Sequence, residues 1–131
     1  MELDEWLADT DALAALDAAY AAAWEATDSE LLALCRDRMA MLLRHQPTLD
    51  SLTDDDRREL SAWPTSTTLT DVQRAALDFT EQYVVDVSSL TDAHADALRA
   101  HLDDSAFATF VNALLVIEQR MSLELVLGGV L

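Results

Sequence analysis

Apolar residues recur at helical spacing along most of this chain, and capping residues mark the breaks between the stretches. Leu13, Leu16, Tyr20 and Trp24 lie three or four apart among alanines, which predicts one long helix over 3–26. The following "TDSE" offers a capping box, Thr27 with Glu30, for a second helix reaching Arg44 or His45, where Pro47 ends it. In "LTDDDRREL", Thr53 is the expected cap of a short third helix, and three aspartates suit its positive end. Residues 61–69, "SAWPTSTTL", hold a proline and five hydroxyl residues without a charge, and predict an internal loop. Thr70 with Gln73 repeats the capping-box pattern and opens a helix to about Val87. Thr91 caps another to about His101. "DDS" at 103–105 starts a last helix that ends at Gly128-Gly129. The pattern predicts a single all-α domain over 1–131, a bundle of about six helices.

Stepping about 100° per residue places Leu31, Leu34, Cys35, Arg38, Met41, Leu42 and His45 on one side of the second helix, with Arg38 near its middle. On the helix from Thr70 the stripe is Val72, Ala76, Phe79, Tyr83 and Val87. Asp86 lies inside its edge, and Glu81 falls away from its centre, between Leu77 and Val85. The last helix has hardly any polar face, which is expected of a helix central to its bundle or at a subunit contact. Its Asn112, Glu118, Gln119, Arg120 and Glu124 are then candidates for burial.

Buried charge requires a partner, because an isolated buried ion costs several kcal/mol even after relaxation. Arg38 is therefore expected to meet a carboxylate, Glu118 before Asp86, and Arg120 can reach Glu124 one turn on. Two readings fit these groups: an ion-pair network that fixes helix register, or the lining of a ligand pocket.

Composition narrows the function classes. The chain has 131 residues, 51% hydrophobic, with only two glycines and two prolines. Such a chain can bury a sizeable core and should be mostly helical. The formal charge is -17 and all eight basic residues are arginines, so phosphate backbones and anionic membranes are repelled and no nucleic-acid or membrane partner is expected. The acidic start "MELDEWLADTD" does not read as a secretory leader, and the apolar run "NALLVI" is interrupted by Glu118, Gln119 and Arg120. A cytoplasmic location is the expectation.

Recognisable chemistry is sparse. Cys35 is the single cysteine, so no internal disulfide can form, and a cysteine on an apolar face reads as an inert core thiol. His45, His94 and His101 show no zinc spacing, and no E-x-x-H pair suggests a di-iron bundle. His94 and His101, seven apart, read as solvent-exposed. Glycine-rich phosphate loops and G-x-S-x-G are absent from the sequence. No cofactor and no metal are expected.

The segments "LLALCRDRMAMLL", "LTDVQRAALDFTEQYVVDV" and "FVNALLVIEQRMSLELV" together resemble the carboxymuconolactone decarboxylase and alkylhydroperoxidase D-like superfamily over about residues 28–127. The shared features are an arginine-alternating helix, a loop with "WP", an "ALxFTE" helix and a long apolar helix ending in polar and basic residues. The resemblance implies an alkylhydroperoxidase D-like all-α fold and a homo-oligomer, trimer or hexamer, with active sites near subunit contacts. Thiol peroxidases of the superfamily use a glutamate, a C-x-x-C pair and a histidine. Here those positions fall on Ala33, His45, Thr48 and Leu52, so dithiol chemistry is excluded. Decarboxylase members need neither thiols nor cofactors.

The resulting expectation is a redox-inactive member that binds a small organic, anionic molecule between helices, with cofactor-free proton transfer. Arg38 would hold the anion, His45 would act as acid or base, and Glu118 would orient one of them. Glu81, in "FTEQ", matches a commonly acidic position of the group and is read as structural. The competing expectation is a non-catalytic scaffold or accessory subunit whose polar core only sets packing. Convergence of Arg38, His45 and Glu118 on one cavity would separate the two.

Overall fold

The computed structural model describes residues 2–128, and every regular element among them is helical. The α-helices are α1 (Leu3–Trp6), α2 (Asp11–Ala26), α3 (Ser29–Leu43), α4 (Gln46–Leu49), α5 (Asp54–Ser61), α6 (Asp71–Val85), α7 (Asp92–Arg99) and α8 (Asp104–Leu127). Six of these eight have at least seven residues.

The expected single helix over 3–26 is two helices. Asp9 takes a left-handed φ of 62° and Thr10 is extended, with its hydroxyl accepting from the Leu13 N–H. Short polar side chains compete for backbone hydrogen bonds, and here they stop one helix and cap the next. The cap of α3 is also one residue from its expected place. Asp28, not Thr27, accepts from the N–H groups of Glu30 and Leu31, at 2.9 and 3.2 Å. The capping box of Thr70 with Gln73 forms as read, and Thr53 forms one with Asp56.

Arg44 ends α3 in the left-handed region, and the His45 N–H returns to the Ala40 carbonyl at 2.9 Å. Pro47 then stands in the first turn of α4, a short helix absent from the sequence reading. His45 thus sits at a corner between helices. A 3-10 turn, Trp63–Thr65, occupies part of the expected loop. Helix α6 stops at Val85, two residues short of the expected Val87. Asp86 turns extended and accepts from the hydroxyls of Ser88 and Ser89. The end of α8 at Leu127 agrees with the sequence, while Gly129 lies outside the described residues.

Helix α3 packs against both α6 and α8, and α2 lies along α8. Between these helices and α7, Leu32, Met39, Leu77, Leu98, Phe110, Leu114 and Ile117 are fully buried. This packing rotates α3 away from the expected facing. Leu32, Cys35, Met39 and Ala40 are its innermost residues, and Arg38 is at the edge. Two partners on different sides select a face that a single apolar stripe does not define. Helix α8 buries Phe110, Ala113, Leu114, Ile117, Met121 and Leu125, the i, i+3, i+4 pattern of one face. Asn112 and Gln119, expected to be candidates for burial, are exposed. Leu115 and Val126 are exposed as well, at 43% and 57%. Among the described residues no helix is long and apolar enough to cross a membrane.

Candidate functional site

Two ion-pair groups involve the candidate residues Arg38 and His45. In the first, Arg38 on α3 donates to Glu81 Oε1 on α6 at 2.8 Å, and the Trp63 indole N–H donates to Glu81 Oε2 at 2.7 Å. The expected partners Glu118 and Asp86 are therefore corrected to Glu81. The rotation of α3 carries Arg38 toward the flank of α6 where Glu81 stands. Asp86 is beyond the helix and exposed, its carboxyl held below the usual range by the Ser88 and Ser89 hydroxyls. Glu118 accepts from the Ser122 hydroxyl at 2.9 Å, one turn away on its own helix. Burial, and then the Glu118 charge, push the Tyr83 phenol upward. With Glu81 at 2.8 Å, the charge that Arg38 would present to an anion is already offset.

The second group is built on the α3–α4 corner. His45 is buried, at 5% exposure, and both ring nitrogens are engaged. Nε2 lies 2.6 Å from Glu124 Oε2 on α8, and Nδ1 lies 2.8 Å from the Thr48 hydroxyl. An ionised carboxylate only accepts, so Nε2 carries the proton of that bond and Nδ1 is left to the hydroxyl. The other Glu124 oxygen accepts from Arg120 Nε at 3.2 Å, the pair expected from the one-turn spacing. Arg120 continues to Asp17 at 2.9 Å and lies over the Tyr20 ring, 5.1 Å from its centroid. The chain Thr48–His45–Glu124–Arg120–Asp17 joins α4, α8 and α2. Glu124 and Thr48 were not read as partners of His45. Thr48 sits three residues on, at hydrogen-bonding reach only because a new helix starts at Gln46.

The three sequence candidates do not share a hydrogen bond or ion pair among the described residues, since Arg38 and His45 belong to different groups and Glu118 to neither. A cleft of about 580 Å³ opens where α2, α3, α6 and α7–α8 meet, and an apolar crevice of about 200 Å³ lies between α6 and α8. Arg38, His45 and Glu118 line neither of them. Among the described residues no three His, Cys, Asp or Glu side chains gather as a metal ion would require. His94 is half-buried and folds back to the Thr91 N–H at 3.1 Å, while His101 is exposed at the larger cleft.

Cys35 is fully buried, and burial pushes its thiol up to about 12, with the Thr80 hydroxyl pulling it down and Asp37 adding to the rise. A thiolate is the nucleophile in cysteine chemistry, and this environment suppresses it at neutral pH. Asp37, on the same helix, is raised above the ordinary 3.8 by burial, against the lowering effect of the adjacent Arg36. A carboxyl with a raised folded pKa holds more protons folded than unfolded in that window, so stability falls as pH rises through it. Asp37→Asn is therefore expected to stabilise the protein at pH 7 by under about 1 kcal/mol, and to lose that advantage near pH 3. Urea unfolding at both pH values measures it, and a variant less stable than the parent at pH 7 would show that the Arg36 contact outweighs burial.

No known protein family matches the chain, and a search of curated proteins returns no match.

Proposed function

We propose that this chain is a cytoplasmic, redox-inactive relative of the carboxymuconolactone decarboxylase and alkylhydroperoxidase D-like proteins. Its working group is the relay Thr48–His45–Glu124, which moves a proton to or from a small organic molecule without a cofactor. One observation carries this reading. The two positions that the resemblance assigns to the redox cysteines are His45 and Thr48, and they face each other at 2.8 Å with Glu124 behind the ring. A dithiol pair is replaced by a hydroxyl and an imidazole, groups suited to proton transfer and not to electron transfer.

In this reading Glu124 takes the orienting role given to Glu118. It holds Nε2–H and stabilises the imidazolium that forms when Nδ1 takes up a proton through the Thr48 hydroxyl, which is half-buried. Arg38 supports Glu81 and Trp63 and does not hold substrate, so a neutral lactone or keto compound with an acidic C–H suits the site better than a free carboxylate. Cys35 takes no part.

The test is turnover of a panel of small lactones and β-keto esters by the parent protein, His45→Gln, Thr48→Val and Cys35→Ala. Proton-transfer activity lost in the first two and kept in the third supports the relay. Loss in Cys35→Ala with the fold intact, or equal activity in His45→Gln, would sink it. A non-catalytic scaffold is favoured by a separate observation: His45 and Arg38 are saturated by protein partners and line neither cavity. Parent protein that turns over none of the panel, and whose His45 ring resonances none of it shifts, selects the scaffold.

Assembly as a trimer or hexamer belongs to the same proposal. The exposed Val87 and Leu115 beside the apolar α6–α8 crevice support it, as they leave apolar surface for a second copy to cover. Light scattering at micromolar concentration should give a multiple of 14.4 kDa. A species of that mass alone contradicts it.

A further inference from the structure

Glu124 uses both of its carboxylate oxygens inside the protein. Oε2 faces His45 Nε2 at 2.6 Å, and Oε1 accepts from Arg120 Nε at 3.2 Å. The group that orients the imidazole is therefore oriented in turn. Its side chain keeps 29% exposure and has several rotatable bonds, so without Arg120 the His45 contact alone would hold it against solvent.

An ion pair one turn apart on an exposed helix is ordinarily loose. Arg120 is not exposed in that way. Its side chain keeps 18% exposure and is gripped from two other helices. Nη1 donates to Asp17 on α2 at 2.9 Å, Nη2 lies 4.0 Å from Asp4 on α1, and the guanidinium lies over the Tyr20 ring of α2. A guanidinium is a rigid plane, so a bond at Nη1 and an aromatic ring against it fix where Nε points. Once Nε is fixed, Oε1 of Glu124 is placed, and Oε2 is left facing the Nε2–H of His45.

We propose that Arg120 is a positioning residue of the Thr48–His45–Glu124 relay. Held by Asp17 and Tyr20, it sets the Glu124 carboxylate so that His45 keeps its proton on Nε2 and its lone pair on Nδ1, toward Thr48. The assignment rests on the relay reading and adds to it. The acid–base form of the ring is governed from α2, which lies along α8 and supplies the two groups that steady Arg120.

Ring-15N NMR of the full chain in mildly alkaline buffer tests this, because it reads the His45 tautomer whether or not the protein turns anything over. The parent should show the Nε2–H form. Arg120→Met keeps an apolar stem against Tyr20 and removes the fork, and the ratio of Nε2–H to Nδ1–H should fall roughly tenfold, by analogy with outer partners of metal-bound histidines. Arg120→Lys restores the charge without the fork and should fall by less. Arg36→Met removes the cation beside Trp24, an α2 contact that does not involve Arg120, and should leave the ring signals as in the parent. On any lactone or β-keto ester that the parent converts, Arg120→Met should lower kcat about tenfold with KM kept. Parent-like ring signals in Arg120→Met, or an equal change in Arg36→Met, would overturn the role. If Arg120→Met does not fold, parent-like signals in Arg120→Lys overturn it alone. A changed tautomer in Arg120→Met, with no turnover by the parent, upholds the positioning of His45 and sinks only the chemistry of the relay.

Discussion

Replacing Glu124 by leucine should lower unfolding stability at neutral pH by about 3 kcal/mol, the largest effect of any single polar substitution considered. The change leaves the His45 Nε2–H without an acceptor in a site only 5% exposed, and it removes one of the two close carboxylates that hold Arg120. Glu124→Gln should cost about 1 kcal/mol, since one oxygen remains to accept from His45 while the amide faces Arg120. His45→Leu/Glu124→Leu should cost less than the sum of its parts, because no ring N–H is then stranded. Denaturant unfolding of the four proteins gives the coupling. A Glu124→Leu variant within about 0.5 kcal/mol of the parent would place this pair among exposed contacts of little consequence.

Arg38→Met should cost about 2 kcal/mol, less than the breaking of a fully buried pair because the Glu81 side chain keeps 30% exposure. The informative comparison lies in the second substitution. Arg38→Met/Glu81→Gln removes the stranded charge and still offers an amide oxygen to the Trp63 indole, so it should recover most of the loss. Arg38→Met/Glu81→Leu removes the charge but leaves the indole N–H without its acceptor, and should recover less. Equal stability of the two double variants would mean that the Trp63 bond contributes nothing. A parent-like melting temperature for Arg38→Met would mean the same for the ion pair.

Both results concern partners that the sequence identified only in part. The all-α class and the six longer helices were legible, because Thr53, Thr70 and Thr91 stand at N-caps and the apolar spacing between them is regular. The break at Asp9 and Thr10 was not, since alanine-rich sequence on its far side continues the helical pattern without interruption. Arg120 with Glu124 was legible because one-turn neighbours meet whatever the tertiary packing. Arg38 with Glu81 spans 43 positions and depends on how far α3 turns between α6 and α8. That angle is set by packing volumes, which apolar spacing does not encode. His45 and Thr48 were separated in the reading by a helix end. In the structure a left-handed Arg44 and a fresh helical turn bring them back together.

The Arg120 linkage also bears on how the chain can fold during synthesis. It ties α8 to Asp17 and places Asp4 within 4.0 Å, while the Trp6 indole donates to the Leu127 carbonyl across 121 positions. Helices α1 and α2 therefore leave the ribosome before α8, the helix on which they dock. Helix α2 buries only Ala23 fully, so alone it has little to hold it. Until residues 104–127 emerge, it is an exposed alanine-rich segment beside a forming α3–α6 pair. The order of manufacture and the order of assembly run in opposite directions here. Nascent chains halted before Asp104 would present α2 to proteases and chaperones, and release of α8 would withdraw it.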